Sequence, residues 1–200
     1  NVNVPGDFST IQGAIIDAGT TNGETVCVGA GTYPEDVVIN KEITLAGDGA
    51  SVTSVINGQA DGQGAAVTIA ANNVTLKGFQ INGAGIAALW LNTGVSGATV
   101  EFNKVTSATG GVTAVTTQGS QSNHIFRNNE FVGNASGQVV YVNGTASLGL
   151  ASSNVDFDNN TFSGTIVAGG VALGNESTLS DITENKFAST LTSTYAIDDT

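Results

Sequence analysis

The sequence predicts an all-β protein: a right-handed parallel β-helix of about six to seven coils with a short N-terminal capping helix. Three observations lead there. Val, Thr, Ile, Gly and Asn dominate the 200 residues, 27 of which are glycine, and this is the composition of short strands and turns. Five segments repeat at a spacing that suits one turn of a solenoid. Stacking those segments then lines up residues of one kind in columns. Hydrophobic residues make up 40% of the chain, enough for a core at this length. A single domain over residues 1–200 is expected, with residues 1–24 as N-terminal strand and cap and 25–200 as coils.

Composition also excludes. Seventeen acidic residues against five basic ones give a formal charge of −12. Such a chain repels phosphate backbones, so nucleic acid is not an expected partner. No run of 18 apolar residues exists, so no membrane span is expected. Cys27 is the single cysteine and cannot form an intrachain disulfide. Between Val26 and Val28 it reads as a small core residue. An acidic chain rich in Asn, Thr and Gly fits an extracellular or cell-surface location. With no initiator Met and no leader pattern, Asn1 is expected to be a processed or engineered terminus.

Asn1–Pro5 reads as an edge strand. Ser9-Thr10-Ile11-Gln12 opens a helix through Ala18, with Ser9 as N-cap and Gln12 completing a capping box. Ile11, Ala14, Ile15 and Ala18 share one face, which predicts that the helix plugs the open end of the coil. Short strands are expected at Thr25–Val28, Asp36–Ile39, Ile43–Leu45, Val52–Ile56 and Ala66–Ala70.

The repeats are Val74–Ile81, Ala98–Val105, His124–Phe131, Val155–Phe162 and Ser180–Phe187, whose last residues step by 24, 26, 31 and 25. Five residues before each anchor lie Leu76, Val100, Phe126, Phe157 and Ile182, an inward column. Two before lie Phe79, Asn103, Asn129, Asn160 and Asn185, which predicts a ladder of stacked amides at a turn. Four before lie Lys77, Glu101, Arg127, Asp158 and Thr183, alternating in charge. One before lie Gln80, Lys104, Glu130, Thr161 and Lys186. Opposite charges about 4.8 Å apart support register, so these columns are expected to be solvated structural ladders. His124 falls in an inward column with Val74, Ala98 and Val155 and reads as a hydrogen-bonded structural histidine. The whole coil would run roughly 30 Å along its axis.

A second strand follows each anchor. Ten residues on lie Leu91, Val115, Tyr141, Ala172 and Ile197; nine on lie Trp90, Ala114, Val140, Val171 and Ala196. Both parities are apolar, so one face is either covered by a loop or exposed as a stripe. Trp90, Tyr141 and Val171 are the candidate binding residues of that stripe.

Phe8-Ser9-Thr10-Ile11-Gln12, Gly31-Thr32-Tyr33-Pro34-Glu35, Ile43-Thr44-Leu45-Ala46-Gly47-Asp48-Gly49 and Val55-Ile56-Asn57-Gly58 follow in order. Together they resemble the opening of pectin-lyase-like right-handed β-helix proteins, including pectin methylesterases. The resemblance implies the fold over nearly the whole chain. It carries no catalytic set. Where pectin methylesterases have a Gln-Asp pair, this chain has Thr109-Gly110-Gly111. Where they have a second Asp, it has Gly137-Gln138-Val139-Val140-Tyr141-Val142, and no Arg-Pro-Trp segment exists. The clustered aspartates with Gly-His-Gly of polygalacturonases and the Asp-Pro-His-Glu of epimerases are also missing. A lyase would need a base beside bound calcium, and only Arg127 and Lys77, near Glu101, Asp156 and Asp158, offer that. Asp156 and Asp158 alone fall short of the ligand count calcium demands. No catalytic residues and no cofactor are therefore expected, calcium at Asp156 and Asp158 being the weak exception. Five glycosylation triplets begin at Asn73, Asn134, Asn143, Asn159 and Asn175, a number expected by chance in so Asn- and Thr-rich a chain.

The expected function is a non-catalytic extracellular or cell-surface module for adhesion, glycan binding or assembly. The alternative is a polysaccharide-acting enzyme, a pectate-lyase-like eliminase or an epimerase, on acidic glycans. The last strand, Tyr195-Ala196-Ile197, ends three residues from the terminus, which suggests an open C-terminal coil available for self-association.

Overall fold

Alternation of buried apolar and outward polar residues, broken every few residues by a bend, winds this chain into stacked coils. A computed structural model describes residues 1–49, 53–59, 64–108, 113–117, 119, 121–135, 138–143, 153–166, 169–174, 179–188 and 197–199. Strand β1 (Val2–Val4) and helix α1 (Ile11–Ile16) come first. The first coil is β2 (Thr25–Val28), β3 (Gly31–Tyr33) and β4 (Val37–Ile39); the second is β5 (Thr44–Ala46), β6 (Ser54–Asn57) and β7 (Ala65–Ile69). Then come β8 (Thr75–Lys77), β9 (Phe79–Asn82) and β10 (Ala87–Leu91), followed by β11 (Thr99–Glu101), β12 (Lys104–Thr106) and β13 (Thr113–Thr117). The fifth coil is β14 (Ser122–Arg127), β15 (Glu130–Ala135) and β16 (Gln138–Asn143). The sixth is β17 (Ser153–Asp158), β18 (Thr161–Ile166) and β19 (Gly169–Gly174). The seventh is β20 (Leu179–Thr183), β21 (Lys186–Phe187) and β22 (Ile197–Asp199).

Each coil contributes one strand to each of three parallel sheets. The first sheet runs β1-β2-β5-β8-β11-β14-β17-β20, the second from β3 to β21, and the third from β4 to β22. The fold is thus the parallel β-helix that the repeats predict, with seven coils among the described residues. Between the sheets lies one core, in which Phe126 stacks on Phe157 at 4.8 Å between ring centroids. Phe131, Phe162 and Phe187 form a second stack, at 5.4 and 5.0 Å. Each such pair adds about 1 kcal/mol beyond its buried area.

The helix differs from expectation in its cap and length. Thr10, not Ser9, is the N-cap, and its hydroxyl accepts from Gly13 N at 3.1 Å. Glu35 takes the next orphan donors: its two carboxylate oxygens accept from Ile11 N and Gln12 N, both at 2.9 Å. Gln12 is thereby free to leave the capping box. Its Oε1 accepts from Val38 N at 2.6 Å, and its amide donates to Val38 O at 3.3 Å, covering the edge of β4. The helix ends at Ile16, so Ala18 lies beyond it and is exposed. Lys41 closes this end, donating to the carbonyls of Asp17 and Thr20 at 2.7 Å.

Several strand bounds shift by a residue or two, and β3 is a strand the sequence reading passed over. Cys27 points outward, because Val26 and Val28 take the two buried positions of β2. The larger correction concerns the repeats: each is two strands, not one. A residue in the left-handed region bends the chain three places before each anchor, at Gly78, Phe102, Asn128, Asn159 and Glu184. The residues before the bend belong to the first sheet and those after it to the second.

Candidate functional site

The bend explains the amide ladder. Asn103, Asn129 and Asn160 are buried just past it, where a backbone N–H and a carbonyl would otherwise be unpaired. Asn129 Oδ1 accepts from Asn103 N at 3.0 Å, and its Nδ2 donates to Val100 O at 2.9 Å. Asn160 serves Asn129 in the same way, and Asn185 serves Asn160. The side chains thus bond backbone as well as one another.

In the charge columns, Arg127 lies 2.7 Å from Glu101, and Lys104 lies 3.0 Å from Glu130. Asp158 accepts from the Thr183 hydroxyl at 2.7 Å. Glu101 is not solvated as expected: it is 8% exposed, packed beneath the guanidinium. Lys77 pairs in register with Glu101, yet the Glu101 carboxylate turns to Arg127. Asp156 is half-buried near Asp158, its Oδ1 shielded from solvent without a hydrogen-bond partner, and β17 slips in register against β20 at that point. Among the described residues, no group of three His, Cys, Asp or Glu side chains is placed to hold a metal. His124 is fully buried, and its Nδ1 accepts from Ala98 N at 3.1 Å. Burial pushes its pKa down to about 4, against a smaller opposing influence from the Val95 backbone.

The third sheet carries the candidate stripe. One column of it runs Val38, Thr68, Trp90, Thr116, Tyr141, Ala172 and Asp198 in register. Trp90 is half-buried and Val38 is exposed. Val171 does not join that column: its backbone pairs with Val140, in register with Leu89 and Val115, and those three are buried. The expected columns at fixed offsets fail here because the connection from the second sheet varies. Leu89 follows Ile81 by eight residues, Val115 follows Val105 by ten and Val140 follows Phe131 by nine. The question of the second parity has two answers. Ala66 and Ala88 lie under the turns at Gly58 and Gly83, where a Cβ would meet them, while Trp90 reaches the surface. Of the segments matching the esterase catalytic positions, Thr109-Gly110-Gly111, Gly137 and the side chains of Gln138 and Tyr141 lie outside the described residues.

One residue was missed altogether. Phe102 occupies the left-handed column with φ 56° and is 53% exposed. The signal was available as a column of Gly78, Asn128 and Asn159, types that suit this backbone, interrupted by one aromatic.

No family model matches the chain. A cell surface glycoprotein of Methanothermus fervidus is 34% identical over 108 residues, covering 54% of this chain and 17% of that protein. The chain therefore spans a small part of the length of the curated relative it matches. Among solved structures, rice weevil pectin methylesterase superposes with a TM-score of 0.65 at 14% identity, over 95% of this chain and 65% of that one. The pectin methylesterase PemA from Erwinia chrysanthemi gives 0.52 at 11% identity, over 90% and 80%. At such identities the likeness is one of fold, and together with the three parallel sheets it shows that this chain has the pectin-lyase-like parallel β-helix fold.

Proposed function

We propose that the chain is a non-catalytic module of an extracellular or cell-surface protein that binds a sugar chain on its third sheet. The observation that carries this is Trp90, which reaches the surface of that sheet beside Thr68, in a register column that starts at the exposed Val38. Val38, Thr68 and Trp90 give that column apolar, hydroxyl and aromatic side chains, and none of the three is an acid or a base. Cleaving or eliminating a glycosidic bond needs positioned carboxylates or a base. An indole beside a threonine instead suits stacking on a sugar ring with a hydroxyl bonded at its rim. The likeness to a cell surface glycoprotein supports the location.

A glycan array tests the reading. Binding to one class of glycan is expected, and Trp90→Ala abolishes it; an array blank for the wild type, or unchanged by Trp90→Ala, would sink the idea. Incubation with polyuronates, with and without calcium, is expected to yield no unsaturated product by ultraviolet absorbance. Binding is expected to persist in EDTA, since Asp156 and Asp158 supply too few ligands for calcium. If the chain serves assembly instead, sedimentation shows concentration-dependent growth that glycans do not alter.

A further inference from the structure

We propose that the bend between the first and second sheets is a second carbohydrate-binding groove, for a sugar chain bearing carboxylates. Phe102 is its stacking platform and Lys77 its anion contact. The groove lies on a different face from Trp90 and does not depend on that site.

The starting point is the misfit of Phe102. A bulky side chain in the left-handed region is a backbone outlier, and such outliers persist where something else fixes them. Burial does not compensate here, because the ring stands 53% exposed on a polar surface. It divides two clefts. The first is about 330 Å³, with Gly47, Gly49 and Gly78 as its floor and Lys77 at its side. Gly49 and Gly78 have φ of 74° and 78°, so the floor is bare backbone that lets a ligand approach closely. On the other side of the ring, a cleft of about 440 Å³ continues past Lys104, Asn128, Asn159, Thr161 and Lys186.

Charge selects the ligand. On a chain of net charge −12, the two clefts are lined by Lys77, Lys104 and Lys186 against one acid, Glu130. Arg127 and Lys104 are held by Glu101 and Glu130. Lys77 and Lys186 have no ion pair among the described residues, so they are the ammonium groups open to an anion. Asn159 Nδ2 donates to Asn128 Oδ1 at 2.7 Å, which leaves the Asn128 N–H groups and the Asn159 carbonyl for sugar hydroxyls. The rungs from Gly47 to Glu184 repeat about every 4.8 Å over roughly 24 Å, a spacing comparable to one sugar residue per coil in an extended chain.

Calorimetric titration with a hexamer of β-1,4-linked glucuronic acid, against cellohexaose, tests this. The two probes differ in the carboxylates alone. The glucuronate hexamer is expected to bind, with cellohexaose about tenfold weaker or worse. Phe102→Asn and Lys77→Gln should each weaken the glucuronate hexamer by about tenfold, and Lys41→Gln, which removes the cation at the end of the helix, should leave it unchanged. Asn suits the left-handed backbone, so Phe102→Asn should melt no lower than the wild type, which separates lost binding from lost fold. The proposal is overturned by no binding of either probe, or by wild-type affinity in both groove variants. It is also overturned if Trp90→Ala alone removes binding, an outcome that leaves the third-sheet site standing. Loss of self-association in Phe102→Asn without any change in sugar binding would overturn it in favour of a protein contact.

Discussion

Asn129 shows how much one side chain can hold in this fold. It serves a backbone N–H on one rung and a backbone carbonyl below it, and it joins the amides on either side. Asn129→Ala should therefore cost about 2–4 kcal/mol in urea unfolding, since buried groups on two coils lose their partners. Phe102 is the opposite case: Phe102→Gly should raise stability by about 1 kcal/mol, because glycine adopts the left-handed backbone without strain. His124 makes stability depend on pH. Its folded pKa of about 4 lies below the ordinary 6.5, so the unfolded chain binds the proton more tightly. Its contribution is complete above pH 6.5 and is lost as pH falls toward 4, by about 3 kcal/mol. His124→Gln should flatten that part of a stability–pH curve, read by denaturant melts between pH 7 and 4.

At the scale of elements, the N-terminal cap is held by side chains that its own sequence does not supply. Glu35 reaches α1 from 24 residues away, which no local capping pattern can reveal. Glu35→Ala should cost about 1 kcal/mol and speed hydrogen exchange at the Ile11 and Gln12 amides. The same contrast governs what the sequence made legible. From the third coil on, the first two sheets could be aligned by eye, because the bend joining them sits three residues before the anchor in each of those coils. Leu76, Val100, Phe126 and Phe157 consequently fall in one column at a fixed offset from the anchors. The third sheet could not, because its connections gain or lose residues without disturbing the core. That is why Val171 was grouped with Trp90 and Tyr141 when its backbone pairs with Val140. Phe102 was overlooked because a bend was not expected inside the repeat, so the residue that breaks the bend's rule had no rule to break. Where coils touch at a turn the tolerance vanishes: a Cβ on Gly47 would run into the Gly78 carbonyl. Gly47→Ala should lower stability by about 1–3 kcal/mol.

Across the whole molecule, a charge of −12 is spread over a rod with few compensating cations. Self-repulsion opposes the compact state, so raising NaCl from low to physiological concentration should increase the melting temperature, with little further gain once the Debye length falls to about 8 Å. A melting temperature that falls with salt would show that the ion pairs at Arg127 and Lys104 outweigh that repulsion. The amide ladder has a further consequence for how such a rod changes over generations. Asn103 receives from Asn129 what Asn129 receives from Asn160. Any turn that brings one asparagine to that corner can therefore follow any other. Tandem duplication or loss of a segment of 24 to 31 residues alters length and leaves the pattern of the amide ladder as it was. Inheritance can edit this molecule by the turn far more cheaply than by the single residue.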